Sequence, residues 1–480
     1  MGSEGRQLHI FMFPFMAHGH MIPIVDMAKL FASRGIKITI VTTPLNSISI
    51  SKSLHNCSPN SLIQLLILKF PAAEAGLPDG CENADSIPSM DLLPKFFEAV
   101  SLLQPPFEEA LHNNRPDCLI SDMFFPWTND VADRVGIPRL IFHGTSCFSL
   151  CSSEFMRLHK PYQHVSSDTE PFTIPYLPGD IKLTKMKLPI FVRENSENEF
   201  SKFITKVKES ESFCYGVVVN SFYELEAEYV DCYKDVLGRK TWTIGPLSLT
   251  NTKTQEITLR GRESAIDEHE CLKWLDSQKP NSVVYVCFGS LAKFNSAQLK
   301  EIAIGLEASG KKFIWVVRKG KGEEEEEEQN WLPEGYEERM EGTGLIIRGW
   351  APQVLILDHP SVGGFVTHCG WNSTLEGVAA GVPMVTWPVG AEQFYNEKLV
   401  TEVLKTGVGV GVQKWAPGVG DFIESEAVEK AIRRIMEKEG EEMRNRAIEL
   451  GKKAKWAVGE EGSSYSNLDA LIEELKSLAF

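Results

Sequence analysis

The feature of this sequence that most constrains its fold is a strand–helix–strand pattern that opens both halves. In the first half, the apolar strand LHIFMFPF is followed by the amphipathic segment HMIPIVDMAKLFASRG and the strand IKITIVTT. In the second half, SVVYVCFGS, SAQLKEIAIGLEASG and KKFIWVVR repeat that order. Short connections between such elements are typical of βαβ units, whose strands pair in parallel. The pattern therefore predicts an α/β protein with two doubly wound, Rossmann-like domains.

Polar stretches suggest where these domains begin and end. We expect an N-terminal domain over residues 1–247, a linker over 248–270 and a C-terminal domain over 271–458. The remaining residues, 459–480, include an amphipathic helix that we expect to pack back toward the N-terminal domain. Six consecutive glutamates, Glu323–Glu328, repel one another and cannot bury surface, so they predict a solvated loop.

Charge and cysteine content limit the partners and the compartment. A formal net charge of −16 argues against nucleic acid or an anionic membrane surface as the main partner. The chain opens without the layout of a secretory signal and has no apolar run of about eighteen residues, so we expect no transmembrane anchor. Ten scattered cysteines without a C-x-x-C pair are typical of free thiols. These features favour a cytosolic protein.

The stretch FVTHCGWNSTLEG, residues 365–377, gathers polar groups where a predicted strand meets a predicted helix. His368 ends the strand, Gly370 permits a sharp turn, and backbone N–H groups at a helix start attract phosphate. In a doubly wound sheet, ligands bind at the carboxyl ends of strands. Ser373 and Glu376 also fit a capping box, S-x-x-E, so simple helix capping is an equal alternative for these two residues.

Residues on either side of this stretch favour a binding site. Upstream, Trp350 offers an aromatic face that suits a base, and Gln353 follows it. Downstream, Glu392 and Gln393 offer the acceptors and the amide that suit sugar hydroxyls. One continuous segment, residues 350–393, thus carries groups for a base, a ribose, phosphates and a sugar.

This segment resembles the signature box of plant family-1 UDP-glycosyltransferases, with Trp350 at its start, H-C-G-W-N-S in its middle and E-Q at its end. The resemblance extends over essentially the whole chain, including FPFMAHGHMIPIVDMAKLF and the FGS triplet ending at Ser290. It is strongest to the subgroup that acts on flavonoids and other phenolics, and also on triterpenoids or steroids. The resemblance implies a GT-B fold, in which the N-terminal domain binds the acceptor and the C-terminal domain binds the UDP-sugar.

The resemblance also implies a role for individual residues. Those expected to bind UDP are Ser290, Trp350, Ala351, Gln353, His368, Asn372, Ser373 and Glu376. Those expected to bind the sugar are Thr145, Trp371, Glu392 and Gln393. Trp350 would stack on uracil, with the Ala351 backbone pairing to its edge. Gln353 and Glu376 would hold the ribose hydroxyls, and the other UDP residues would contact the diphosphate. A Gln at the end of the box goes with glucose in this family, so UDP-glucose is the expected donor.

Transfer of a glycosyl group to a hydroxyl needs a base that takes the hydroxyl proton. Histidine suits this task because its unperturbed pKa is near neutrality. His20 follows the first strand and matches the family's Gly-His pair, which leaves the neighbouring His18 as a bystander. Asp122 ends the strand DCLISD and matches the carboxylate that partners the base, although alone it would read as a helix cap.

The predicted reaction is direct displacement at the anomeric carbon, which inverts its configuration. No D-x-D motif is present, so we expect neither a metal ion nor a cofactor besides the donor substrate. The acceptor would lie over His20 among apolar side chains of the first domain. The candidates are Phe15, Met16, Phe124, Phe125, Phe148 and Phe191, although aromatic residues in such segments are more often core.

Other functions fit the sequence less well. The glycines of TGVGVGVQKW lack G-x-G-x-x-G spacing, and no hydrolase elbow or P-loop is present. A sugar-nucleotide epimerase or hydrolase of the same fold is one alternative, and a UDP-sugar sensor without catalysis is another. His20 and Asp122 favour the enzyme, because a sensor needs neither. The sequence therefore predicts a monomeric UDP-glucose-dependent O-glucosyltransferase for a small lipophilic acceptor, a phenolic or alternatively a triterpenoid or steroid.

Overall fold

The computed structural model of the protein describes residues 7–54, 62–194, 198–251, 254–290, 292–318, 331–416 and 420–479. The glutamate run predicted as a solvated loop, Glu323–Glu328, lies outside the described residues. Within the described ranges the chain builds two parallel sheets flanked by helices, so the predicted α/β fold with two Rossmann-like halves is confirmed.

The first half contains nine strands and nine α-helices of the described chain. The strands are β1 (His9–Phe13), β2 (Lys37–Thr42), β3 (Ile63–Ile67), β4 (Cys118–Asp122), β5 (Arg139–His143), β6 (Phe172–Thr173), β7 (Lys182–Leu183), β8 (Gly216–Val219) and β9 (Thr241–Thr243). The helices are α1 (His18–Ser33), α2 (Pro44–Leu54), α3 (Leu93–Ser101), α4 (Gln104–Asn114), α5 (Thr128–Val135), α6 (Cys147–His159), α7 (Ile190–Arg193), α8 (Glu199–Ser210) and α9 (Tyr223–Asp231).

The second half contributes six further strands and the remaining described helices. The strands are β10 (Val283–Cys287), β11 (Lys312–Val317), β12 (Gly344–Arg348), β13 (Val362–Thr367), β14 (Met384–Thr386) and β15 (Gly407–Gly409). The helices are α10 (Thr254–Thr258), α11 (Glu268–Asp276), α12 (Ser296–Ser309), α13 (Tyr336–Arg339), α14 (Gln353–Leu357), α15 (Trp371–Ala380), α16 (Gln393–Lys398), α17 (Ser425–Met436), α18 (Glu441–Ala457) and α19 (Ser463–Ala479).

Strand order explains where a ligand can bind. The first sheet runs β3-β2-β1-β4-β5-β8-β9 and the second runs β12-β11-β10-β13-β14-β15. In both sheets the strands pair in parallel, with β1 between β2 and β4 and with β10 between β11 and β13. The chain order therefore reverses beside β1 and beside β10. Loops that leave the carboxyl ends of strands at such a switch point diverge and form a crevice.

The last helix, α19, packs against the first sheet, although it follows the second half in sequence. Leu468, Leu471, Ile472 and Leu475 are buried in one core with the apolar side chains of β1, β2 and β4. Asn467 donates a hydrogen bond from Nδ2 to the backbone oxygen of Thr243 on β9. The amphipathic pattern of this segment thus buries its apolar face on the first half of the molecule.

Two further sequence features can be compared with the structure. The nine cysteines of the described ranges are all free thiols. Among the helices of these ranges, none combines the length and the apolar character needed to cross a membrane.

Candidate active site

The predicted base and its carboxylate lie at the carboxyl ends of two adjacent strands. His20 is in the first turn of α1, just after β1, and Asp122 is the last residue of β4. Their side chains meet, with 2.7 Å between His20 Nδ1 and Asp122 Oδ2. Asp122 is almost fully buried, whereas the His20 side chain is 29% exposed. The pair can therefore present the Nε2 atom of His20 to a bound molecule while Asp122 holds the other nitrogen.

The electrostatic surroundings shift the pKa of His20 upward. Burial alone would lower this pKa, but the Asp122 carboxylate outweighs burial, and Glu392 and Asp85 add to its effect. The His20 imidazole therefore takes up its proton at a pH above the usual value of 6.5. An imidazole with this pKa is a stronger proton acceptor than an isolated one, which suits a general base.

His18, the neighbouring candidate, belongs to a different cluster. Its Nδ1 atom contacts the Asp85 carboxylate, and Arg262 donates from Nε to its Nε2 atom over 3.1 Å. Both ring nitrogens of His18 are therefore engaged, in contrast to those of His20. Sequence reasoning missed Asp85 and Arg262, which stand far from His18 in the chain.

In the second half, the stretch around His368 forms the turn that the sequence suggests. His368 follows β13, and α15 begins at Trp371 with Gly370 as its N-cap residue. Added Cβ atoms at Gly289 and Gly370 would lie 2.6 and 2.4 Å from His368 Nε2. These two glycines therefore leave the space that the imidazole occupies.

The capping-box alternative for Ser373 and Glu376 is wrong. The N-cap residue of α15 is Gly370, which has no side chain, and Ser373 lies inside the helix rather than at the N-cap position. Instead, Gln353 donates from Nε2 to Ser373 Oγ over 3.0 Å and to Glu376 Oε2 over 2.7 Å. The reason is geometric, because the helix begins two residues before Ser373. The Trp371 N–H faces the Glu392 carboxylate, whereas the N–H groups that follow it receive no cap from Gly370 and can bind an anion.

Three buried polar atoms of the predicted donor residues make no hydrogen bond within the described part of the chain. They are Thr145 Oγ1, His368 Nδ1 and Asn372 Oδ1. Buried polar atoms normally find partners, so such a group marks a place where a polar ligand fits. Thr145 comes from the first half and the other two from the second. Asn372 also joins the halves, since its Nδ2 atom donates to the Gly19 oxygen over 2.6 Å.

His368 does not carry a positive charge in this arrangement. Burial lowers its pKa to about 4, so the imidazole is neutral near pH 7. A neutral imidazole can give one hydrogen bond to a phosphate oxygen. The attraction for an anion therefore comes first from the N-terminus of α15 and its macrodipole.

Two residues next to predicted sugar residues have a strained backbone. Cys369 and Ala391 have φ values of 63° and 49°, in the left-handed region that residues with a Cβ adopt at a cost. Asn396 connects the two places, because its Nδ2 atom donates to the Cys369 oxygen over 2.8 Å and to Glu392 Oε1 over 3.2 Å. Burial raises the pKa of Glu392. Sequence reasoning missed Asn396, since nothing in its local pattern separates it from an ordinary helix residue.

Gln393 and Trp371 are already partly engaged. Gln393 Oε1 accepts hydrogen bonds from the backbone nitrogens of Val389 and Gly390, which leaves its Nε2 group as a donor. The Trp371 indole is buried and donates from Nε1 to the Asn220 oxygen of the first half over 2.7 Å. Its ring therefore joins the two halves, and its Nε1 group is engaged by Asn220.

The other predicted donor residues lie at the same edge of the second sheet. Trp350 and Ala351 follow β12, and Ser290 follows Gly289 after β10, so all three leave carboxyl ends of the second sheet. The indole of Trp350 is half-buried and its ring centre lies 6.0 Å from that of His18. Residues predicted to bind one nucleotide are thus carried by β10, β12, β13 and the loops after them.

The predicted acceptor residues divide into two groups. The rings of Phe15 and Phe124 lie with their centres 5.4 and 5.5 Å from that of His20. Phe191 is half-buried and contacts Phe200 at 5.4 Å. Met16, Phe125 and Phe148 are buried in the apolar cores, and Phe15 is buried in the same core as Met16 and Phe125.

Three aromatic residues near His20 were missed. Phe97 on α3 and Phe203 on α8 pack at 4.5 Å, Phe200 joins Phe97 at 5.9 Å, and Phe124 contacts Phe97 at 5.8 Å. With the buried Phe15 and the half-buried Phe124 and Phe191 they form an aromatic wall beside His20. Their helices are about a hundred residues apart in sequence, so no local pattern relates them.

Comparison with known proteins decides the family. The family model described as UDP-glucoronosyl and UDP-glucosyl transferase matches residues 192–444. The chain belongs to this family. It is 57% identical over 473 residues to the scopoletin glucosyltransferase of Nicotiana tabacum, with 98% of each chain covered. It is 54% identical to the UDP-glucose flavonoid 3-O-glucosyltransferase 7 of Fragaria ananassa, covering 99% of this chain and 97% of the other.

A solved structure extends the comparison to three dimensions. The structure of Glycyrrhiza uralensis UGT73P12, complexed with glycyrrhetinic acid 3-O-monoglucuronide, has a TM-score of 0.91 and 41% identity, covering 98% of this chain and 96% of that one. The recognition of a plant UDP-glycosyltransferase and of its GT-B fold is thereby confirmed. The protein is an enzyme that takes a UDP-sugar as its donor substrate.

Within the described ranges, no group of three His, Cys, Asp or Glu side chains is arranged to hold a metal ion. The N-terminus of α15 and the neutral imidazole of His368 can stabilise the charge of a leaving diphosphate.

Proposed function

We propose that the enzyme transfers glucose from UDP-glucose to a hydroxyl group of a small phenolic acceptor, with inversion at the anomeric carbon. The observation that carries this proposal is the His20–Asp122 pair, 2.7 Å apart, placed between an aromatic wall and a helix start that suits a diphosphate. A flat, apolar acceptor with an acidic hydroxyl matches such a wall. The names of the tobacco and strawberry relatives support the same acceptor class.

The proposed mechanism begins at the His20 imidazole. With Nδ1–H donating to Asp122, the lone pair of Nε2 takes the proton of the acceptor hydroxyl as its oxygen attacks the anomeric carbon. Asp122 stabilises the imidazolium that forms, because its buried carboxylate already contacts the ring. The bond to UDP breaks on the opposite face of the sugar, so the product has the inverted configuration.

The proposed donor contacts follow the residues predicted from the sequence. Trp350 stacks on uracil, Gln353 and Glu376 hold the ribose, and His368, Asn372 and Ser373 face the diphosphate with Ser290. Thr145, Glu392 and Gln393 contact the sugar. The unpartnered atoms Thr145 Oγ1, His368 Nδ1 and Asn372 Oδ1 support this assignment, since a bound donor would give each of them a partner.

A triterpenoid acceptor is the second candidate. It is favoured by the likeness to the Glycyrrhiza enzyme, whose structure contains a triterpenoid glucuronide, although the relatives with higher identity carry names of phenolic acceptors. Incubation with UDP-glucose and a panel of flavonols, coumarins, sterols and triterpenoids, followed by mass detection of glucosides, separates the two. Faster transfer of glucose to triterpenoids than to any phenolic would show that the acceptor is a triterpenoid and not a phenolic.

The donor is tested in the same assay. Competition among UDP-glucose, UDP-galactose and UDP-glucuronate should leave mainly glucosides. A preference for either of the other donors would contradict the role given to Gln393. Product formation without any acceptor would instead support an epimerase or hydrolase.

We also propose that the enzyme is a cytosolic monomer, which cell fractionation and light scattering can check.

A further inference from the structure

An arginine in the segment between the two halves reaches the proposed ribose site. Arg260 follows α10, and its guanidinium is 11% exposed. Its Nε atom donates to Asp26 Oδ2 of α1 over 2.7 Å, and its Nη1 atom donates to Glu376 Oε1 of α15. One side chain thus joins a helix of the first half to the carboxylate proposed to bind ribose.

Both carboxylates depend on this contact. Asp26 and Glu376 are 1% and 5% exposed, and a carboxylate so deeply buried needs a counter-charge. Burial acts to lower the pKa of Arg260, but Asp26 and Glu376 outweigh burial and raise it. The guanidinium therefore stays charged, and its planar fork can serve two acceptors at fixed angles.

The arginine is the centre of a longer hydrogen-bonded chain. On one side, Asn251 donates to Asp26 Oδ1 over 2.7 Å and accepts from Lys29 over 2.9 Å. On the other side, Gln353 donates to Glu376 Oε2 over 2.7 Å. The two oxygens of Glu376 are thus held by Arg260 and by Gln353. Such a fully paired network fixes the orientation of a carboxylate.

The backbone of the same segment lies against Trp350. Gly261 has a φ of +91°, and an added Cβ there would lie 2.5 Å from Trp350 Cζ2. Ala265 donates its backbone N–H to the Trp350 oxygen over 2.8 Å. The glycine permits the close approach that places Arg260 beside Glu376. The segment is therefore seated on the residues proposed for both uracil and ribose.

We propose that Arg260 is a positioning residue of the donor site, which orients the Glu376 carboxylate toward the ribose hydroxyls and ties it to α1 of the acceptor-binding half. This inference rests on the proposed function, in which Glu376 is a ribose ligand. A carboxylate oxygen accepts from a ribose hydroxyl only in the correct orientation, because hydrogen bonds weaken steeply with angle. Loss of Arg260 therefore weakens recognition of the ribose and leaves the other donor contacts in place.

The test compares UDP with 2′-deoxy-UDP by calorimetric titration, which requires no acceptor. The variants are Arg260→Gln, which removes the charge, and Arg260→Lys, which keeps the charge but cannot serve both carboxylates. Glu263→Ala is the matched control, because Glu263 belongs to the same segment and forms an exposed ion pair with Lys52. Thermal unfolding verifies that each variant is folded.

We expect Arg260→Gln to weaken UDP binding about tenfold and 2′-deoxy-UDP binding less than about twofold. The reason is that the Glu376 carboxylate loses its charge-assisted hydrogen bond from the 2′-hydroxyl, which 2′-deoxy-UDP lacks. Arg260→Lys should fall between wild type and Arg260→Gln, and Glu263→Ala should match wild type. Adding Arg260→Gln to Glu376→Ala should cost nothing further, because both changes remove the same interaction.

Three results would overturn the proposal. Equal losses for the two nucleotides would show a structural role without ribose recognition. Tighter UDP binding by Arg260→Gln would show that the arginine competes with the ribose. Additive losses in the double variant would show that Arg260 does not act through Glu376. A wild-type protein that fails to bind UDP would instead refute the proposed function, so the two failures are distinguishable.

Discussion

At the scale of single residues, the histidine and tryptophan roles can be separated. His20→Ala should abolish transfer, with a loss of about 10²–10⁴ in rate, because it removes the proton acceptor. It should leave UDP affinity intact, whereas Trp350→Ala should weaken UDP binding itself. Single-turnover rates beside calorimetry with UDP measure both. His18→Ala is the comparison variant and should have the smallest effect on rate. An active His20→Ala enzyme would contradict the assignment of the base.

The pH dependence of the reaction follows from the raised pKa of His20. The neutral imidazole is the base, so kcat/KM should fall as the pH drops through a pKa above 6.5. In Asp122→Asn, the carboxylate no longer offsets the effect of burial, so the pKa of His20 should fall. The acid limb of the kcat/KM profile should then move to lower pH, and the plateau of the profile should fall. The exposed Asp133 offers a control, and Asp133→Asn should leave the profile unchanged. An acid limb that does not move would show that Asp122 does not set the pKa.

At the scale of elements, the last helix tests the packing of the first half. Leu471 on α19 is fully buried, whereas Leu478 on the same helix is 48% exposed. Leu471→Ala should lower the free energy of unfolding by about 2–5 kcal/mol, since it leaves a cavity in the core. Leu478→Ala should change it by less than about 0.5 kcal/mol. Urea unfolding measures both, and equal values would mean that α19 contributes little to the core.

The glutamate run provides a second test at this scale. Glu323–Glu328 should form a solvated loop, because adjacent like charges repel and gain nothing from burial. Shortening the run should therefore leave the turnover and the melting temperature nearly unchanged. A fall in turnover of more than about tenfold would correspond to roughly 1.4 kcal/mol of barrier. That result would place the run at the active site.

At the scale of the whole molecule, a buried ion pair joins the two halves. Lys187 Nζ lies 3.2 Å from Glu397 Oε1, and both side chains are nearly buried. Lys187→Ala leaves the carboxylate without its partner and should lower the free energy of unfolding by about 3–5 kcal/mol. The exposed pair of Lys452 and Glu449 is the control, and Lys452→Ala should cost less than about 1 kcal/mol.

The sign of the pH effect gives this prediction a further check. Burial raises the pKa of Glu397, and Lys187 opposes that rise. Without the lysine the pKa rises further, so the folded state binds a proton more tightly than the unfolded state. The stability loss of Lys187→Ala should therefore be small at low pH and grow as the pH rises. Urea midpoints between pH 5 and 8 measure it, and a loss independent of pH would contradict the argument.

The sequence by itself determined the parts of this protein that depend on neighbouring residues. Alternating strands and helices specify the two parallel sheets, because each element buries its own apolar face. The strand end at His368, the turn at Gly370 and the helix that follows are likewise local, since they occupy adjacent positions in the chain. The segment 350–393 indicates a donor site from its residues alone, because the groups for base, ribose, phosphate and sugar are contiguous.

Only the tertiary structure decided which distant segments meet at that site. Arg260 contacts Asp26 and Glu376, and each of these two carboxylates is more than a hundred residues from Arg260 in the chain. The aromatic wall likewise combines Phe97 and Phe203 from separate helices. The capping box of Ser373 and Glu376 is wrong because the helix begins two residues before Ser373, and Gln353 and Arg260 engage the two side chains from other elements. Local patterns report backbone preference and burial, whereas the pairing of buried polar groups depends on how whole elements pack.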